Sequence, residues 1–441
     1  MELVYLWVEE YKNIYHQGFN FSPRFKCEYD EKKKELNIID KEETGEPYPK
    51  NFFGENINIT AIVGENGSGK SSILQCINKI LTHEFKSRDF LDENYDSYLE
   101  FTYLLVLRIN SKNYYLAEKI DCNQLEIFHL NLEHFIYFND NISLDKKFAF
   151  DKYQISKMIA HSYRTNIDFK VSSFMYIPNK ILIKKKKFKE ILDELLENNE
   201  LFFYDRTLRD PDNYENKYKC REQIKNIWDN ETNEYNKFLI LFYILKEKDL
   251  SPHLFSNINE LLKESILSEI ISEDNFNKYF REIKKEINDL DKKEKLIYID
   301  KYYDFFEFEF SDSLNRHFNL LSHGEKILFG QLLNIYYIST KKEENNFIFL
   351  LDEPEISLHP NWQKSYISEV NTLLSKQNKN YALLIGTHSP LLLSDFPKNN
   401  VIFLKKDEEN GNCLNDTDNI DINPFGANIH TLLSHGFFMK D

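Results

Sequence analysis

The chain has 441 residues, 41% of them apolar and 15% aromatic, which is ample for buried cores and too apolar for a disordered chain. Its formal net charge of −16 argues against a protein that simply coats nucleic acid. Cys27, Cys76, Cys122, Cys220 and Cys413 form no C-x-x-C pair, which argues against a disulfide framework or a zinc site.

No apolar run approaches the roughly 18–20 residues of a membrane span, so no membrane partner is expected. The first five residues lack a basic stretch followed by a long apolar one, which argues against a secretory signal, and the scattered cysteines argue for reduced thiols in the cytoplasm.

In chain order, the first 60 residues read as strands. Leu3–Val8 and Leu36–Ile39 are apolar runs, and Ile57–Val63 alternates before becoming fully apolar, as a buried strand does. A glycine-rich loop follows, then a helix from Ser71. Two more strands, Tyr98–Ile109 and Tyr114–Ile120, flank the turn-prone Asn110–Asn113 and predict a hairpin.

From about 180 to 300 the pattern predicts helices. Phe188, Ile191, Leu192, Leu195 and Leu196 mark one helical face; Ile258, Leu261, Leu262, Ile266 and Ile270 mark a second; Phe276, Phe280, Ile283, Ile287 and Leu290 mark a third. No heptad persists beyond a few turns, which excludes a long coiled-coil arm. Afterwards α/β alternation returns: helices are predicted near 324–338 and 361–376, and strands at Phe347–Leu351, Ala382–Ile385 and Val401–Leu404. The domain reading is residues 1–175, a helical insertion over 176–310, and 311–441.

Gly64–Ser71 matches G-x-x-x-x-G-K-[ST] in full, after an apolar strand and before a helix. Its glycines let backbone N–H groups converge on phosphates, and the following helix adds its positive end. Nucleotide contacts are expected from Asn66, Gly67, Ser68, Gly69, Lys70, Ser71 and Ser72. Lys70 should reach the β- and γ-phosphates, and the Ser71 hydroxyl should bind Mg²⁺. The apolar run 347–351 ends in Asp352 and Glu353. Asp352 is expected in the Mg²⁺ shell, and Glu353 is expected to orient or deprotonate the attacking water.

Leu321–Lys326 resembles the signature of ABC ATPases, Gly386–Pro390 resembles their switch-histidine loop, and Glu355–Pro360 occupies the place of the loop that crosses between subunits. The order of phosphate loop, signature, acidic strand and histidine is that of ABC ATPases, and the resemblance covers about 1–175 and 310–440. It implies an α/β head, a mixed sheet around the phosphate loop, with a helical insertion. It also implies an Mg²⁺-dependent ATP hydrolase working as a homodimer or higher oligomer. Ser322 and the Gly324 backbone would cap the γ-phosphate held by a second copy, and His388 would contact that phosphate and the water. His323 and Glu325 replace the glycine and glutamine common in transporters, a pattern similar to the RecF, SMC and OLD branch. Asn139, in Ile136–Asn139, is the candidate for the glutamine-loop position.

About 250 residues separate phosphate loop from signature, more than in transporters, and without the SMC coiled coil. The chain therefore resembles the compact ATPases of prokaryotic anti-phage systems, Septu-type, retron-associated or PARIS-like, which are paired with a separate effector. The stretch Pro424–His430 is similar to this group as well. The 53 residues after His388 are too few for the Toprim nuclease of OLD proteins, so a nuclease is expected on another chain. The apolar Gly436–Met439 close to the end of the sequence leads us to expect further residues beyond Asp441. The alternative reading is a RecF- or SMC-like ATPase of DNA repair or DNA loading. Lys184–Lys187 with Lys189 is the densest basic run, a candidate grip for DNA or RNA or simply a solvated helix start.

Overall fold

The computed structural model describes residues 2–89, 99–109, 112–120, 136–140, 158–159, 176–197, 222, 224–247, 271–341, 345–430 and 432. The expected helix through Ile258–Ile270, Cys122, Cys220 and the 436–439 segment lie outside them. The chain divides into two units, one of residues 1–175 with 321–441 and one of residues 176–320.

Among the described residues, eight strands precede the second unit: β1 (Glu2–Tyr11), β2 (Ile14–Asn20), β3 (Phe25–Asp30), β4 (Glu35–Asp40), β5 (Ile57–Gly64), β6 (Tyr103–Ile109), β7 (Lys112–Glu118) and β8 (Ile136–Asp140). The second unit holds β9 (Lys180–Lys185), β10 (Ile283–Glu286) and β11 (Phe306–Ser311). The first unit resumes with β12 (Asn346–Asp352), β13 (Asn380–Thr387), β14 (Val401–Lys406) and β15 (Cys413–Asn415).

The first unit is built on a ten-stranded mixed sheet in the order β7-β6-β1-β2-β15-β14-β5-β13-β12-β8. Strands β14, β5, β13, β12 and β8 all run parallel. The apolar runs of β5, β12 and β13 are buried, as strands covered on both faces must be. Strands β1, β2, β6 and β7 pair antiparallel, with β6 and β7 forming the expected hairpin. Strand β6 begins at Tyr103. The helix Lys70–Asp89 turns Ile73, Leu74, Ile77, Ile80 and Leu81 toward a core shared with Leu105, Ile348, Leu384 and Leu404. That spacing is one helical face. Parallel order brings the carboxyl ends of β5, β13 and β12 to one edge of the sheet, where ligands of such sheets bind.

The second unit is not purely helical, which corrects the element reading of 180–300. Strand β9 pairs antiparallel with β10 on one side and β11 on the other. Phe276–Leu290 does not form one helix: a helix covers Glu273–Tyr279, and Ile283 begins β10 opposite Ile183. Apolar residues at 276, 280, 283 and 287 fit a helical period. Over Ile283–Glu286 the alternating exposure is that of an edge strand, whose ladder with β9 satisfies the backbone. The helices Phe188–Glu197 and Glu234–Glu247 pack with the sheet around an aromatic core centred on Phe238, whose ring lies 4.8 Å from Phe280 and 4.9 Å from Phe305.

The basic run in this unit is largely neutralised. Lys184 pairs with Glu309, Lys185 with Glu234 and Lys187 with Glu190. Among the described residues no helix is long and apolar enough to cross a membrane.

Candidate functional site

The loop Gly64–Ser71 leaves the end of β5 and enters the helix Lys70–Asp89. Gly67 and Gly69 adopt φ of +80° and +111°, which side chains other than glycine rarely allow. Lys70 is buried, and its Nζ donates to the carbonyls of Gly64 at 3.0 Å and Glu65 at 3.1 Å. Burial depresses its pKa, and the carboxylates of Glu353, Asp352, Glu355 and Glu65 oppose that shift. The Ser68 hydroxyl is buried without a hydrogen-bond partner among the described residues.

A residue outside the motif holds this loop. Asn13, in the turn between β1 and β2, donates from Nδ2 to the Gly67 carbonyl at 3.1 Å and accepts from the Ser72 hydroxyl at 2.7 Å. Its own carbonyl accepts from the Cys413 N–H at 2.6 Å. The Ser72 hydroxyl is thus committed to Asn13, and sequence reading missed the partner because it lies 54 residues from Gly67.

Asp352 ends β12 beside Ser71, which donates to it. Its Oδ1 is buried without a partner among the described residues, and burial raises its pKa. An orphaned carboxylate oxygen next to a serine hydroxyl is a hard-oxygen pair that fits Mg²⁺ carried by phosphate oxygens. Among the described residues no cluster of three or more His, Cys, Asp or Glu is arranged to hold a metal alone.

Glu353 has φ of +51°, costly for a residue with a Cβ at about 1–3 kcal/mol. Its N–H donates to the Gly386 carbonyl at 2.8 Å, which locks the β12 exit onto the end of β13. Its Oε1 lies 2.8 Å from His388 Nε2. Burial and the charge of Lys70 push the His388 pKa down, and Glu353 and Asp352 push it up; the net shift is downward. A neutral ring donating Nε2–H to the carboxylate fits these terms.

The stretch Leu321–Lys326, which resembles the signature, runs into the start of the helix His323–Lys341. Ser322 is exposed and forms a capping box: its hydroxyl accepts from the Glu325 N–H at 3.3 Å, and Glu325 accepts from the Ser322 N–H at 2.8 Å. Glu325 thus has a local structural reason. Gly324 packs against the crossing loop of its own chain. A Cβ there would lie 2.7 Å from the Ser357 carbonyl oxygen and 3.1 Å from the Trp362 ring. Lys70, Ser71, Asp352, Glu353 and His388 thus gather at one sheet edge, while Gly324 meets the far end of the 353–358 loop at Ser357. The Asn139 backbone pairs with β12 opposite Leu350, and its side chain lies outside the described residues.

A family model described as "AAA domain, putative AbiEii toxin, Type IV TA system" matches residues 59–394. A probable ATPase of retron Vc95 from Vibrio cholerae is 25% identical over 427 residues, 87% of this chain and 75% of that protein. An uncharacterized protein of Methanocaldococcus jannaschii is 30% identical over 112 residues, and protein ea59 of Escherichia phage lambda 26% identical over 131. These matches cover 24% and 30% of this chain, and 28% and 23% of those proteins, about a quarter of their length. An SMC head bound to the C-winged helix domain of ScpA aligns at TM-score 0.34 and 12% identity, covering 96% of this chain and 100% of that one. The SMC head from Thermotoga maritima aligns at TM-score 0.31 and 12% identity, covering 94% and 97%.

Proposed function

The chain belongs to this AAA-domain family, and from that premise we propose that it is an ABC-type ATPase of the RecF and SMC kind, that two copies clamp ATP between them and that the clamp controls an effector, a nuclease on another chain, in anti-phage defence. The supporting observation is the convergence of Lys70, Ser71, Asp352, Glu353 and His388 at the ends of β5, β12 and β13, with Ser322 exposed at a helix start.

When bound, Mg²⁺–ATP supplies the bond to be cleaved and neutralises charge on the phosphates. Lys70 turns from its loop carbonyls to the phosphates, and Ser71 with Asp352 offers oxygens to the metal. Glu353 orients water and draws its proton. His388 then turns its single N–H, given to Glu353 in the nucleotide-free chain, toward the terminal phosphate. Ser322 of a second copy donates its hydroxyl across the interface, from a helix N-terminus suited to an anion. Separation of the copies after hydrolysis is the output step.

The relation to a retron ATPase supports the defence setting, and the paired lysines of the second unit give no support to a simple nucleic-acid coat. The test is twofold. Light scattering of the purified chain should show dimers with ATP and monomers without it. Host cells carrying the native locus should resist phage, and Lys70→Ala should abolish resistance. A native preparation with no stoichiometric nuclease, binding DNA in an ATP-dependent way, would overturn the effector reading in favour of DNA loading.

A further inference from the structure

Glu355 is a carboxylate in the core that the reading above leaves without a task. It is 5% exposed, and burial raises its pKa. Its Oε1 accepts three donors from the switch-histidine segment: the Thr387 hydroxyl, the His388 N–H at 2.8 Å and the Ser389 N–H at 3.2 Å. Its Oε2 is buried with no partner among the described residues. Burying a carboxylate is expensive, and such a group persists only where its hydrogen bonds are needed.

Two glutamines extend this brace. Gln331, buried in the signature helix, donates to the Pro354 carbonyl at 3.0 Å. Gln363 donates to the Leu358 carbonyl at 3.0 Å, and its Oε1 accepts from the Ser389 hydroxyl at 2.7 Å. The 353–358 loop is therefore tied to the signature helix at Pro354, to the histidine segment through Glu355, and to Ser389 through Gln363. Any shift of the signature helix moves the loop, and the loop carries the acceptor that sets the His388 backbone.

We propose that Glu355 is a positioning residue: it fixes the backbone of Thr387–Ser389 so that the His388 ring meets Glu353, and it couples that geometry to the signature helix through Pro354. This rests on the ATPase reading for its kinetic consequence and on the observed hydrogen bonds for its structural one.

Three variants test it. In Glu355→Gln the acceptor is neutral and weaker. In Glu355→Asp the charge stays and the oxygen withdraws by one methylene. Each should lower kcat about tenfold, as small misplacements of a catalytic group do, while the Kd for a fluorescent ATP analogue changes less than about twofold. In a His388→Ala background neither should lower kcat further, because the path runs through His388. Backbone hydrogen exchange of the segment containing Thr387–Ser389 should speed up several-fold in both, and this readout needs no turnover. Parental exchange in both variants overturns the proposal, as does equal loss with and without His388. A parental chain that does not hydrolyse ATP would sink the functional reading, and the exchange result would still decide on Glu355.

Discussion

His388 Nε2 and Glu353 Oε1 lie 2.8 Å apart, with both side chains about a third exposed. One hydrogen bond therefore orients two groups at once, the one placed to order water and the one placed to meet a phosphate. Glu353→Gln keeps the shape and removes the base. We expect kcat to fall about 10²–10⁴-fold, the usual range for losing a general base, with ATP binding retained. Size-exclusion chromatography with ATP should then show a persistent dimer. Hydrolysis at the parental rate would move the base elsewhere.

The same pair sets a pH dependence. Burial and Lys70 depress the His388 pKa, so the ring stays neutral as pH falls through about 6.5, the ordinary histidine value. The group protonates only below that point. The kcat/KM profile of the parent should thus be flat across the ordinary histidine range and fall on its acid side. An acid limb at or above the ordinary value would show that His388 is not the group being read, or that it works protonated.

Gly324 carries a prediction independent of nucleotide. A methyl there meets the Ser357 carbonyl at 2.7 Å and the Trp362 ring at 3.1 Å. Backbone oxygen cannot swing aside as a long side chain can. Gly324→Ala should destabilise the nucleotide-free protein by about 1–3 kcal/mol, as overpacking does. Denaturant titration measures it, and an unchanged midpoint would mean the helix start relaxes freely.

The contiguous motifs were legible because their chemistry is local. Gly64–Ser71 must be a strand exit, a glycine turn and a helix start in succession, and the sequence carries all three. Asp352 and Glu353 follow an apolar run that only a buried strand explains. Asn13, Gln331, Glu355 and Gln363 were not assigned their contacts, because each acts across the fold on a segment far along the chain. Ser322 was read for a distant phosphate and Glu325 as a mark of the branch, although S-x-x-E is also a helix cap. In the second unit the apolar spacing of 276–290 satisfied a helix template, and partnership with β9 decided the outcome over 283–286.

The central claim is a site completed by a second copy, and mixing two inactive variants tests it most directly. Lys70→Ala spoils the phosphate loop and keeps the signature; Ser322→Ala does the reverse. A mixed dimer rebuilds one intact site from Lys70 of one copy and Ser322 of the other. ATP hydrolysis by the mixture should exceed the sum of the two variants measured alone, and rise with total protein concentration. A mixture that only matches that sum at every concentration would contradict a shared site.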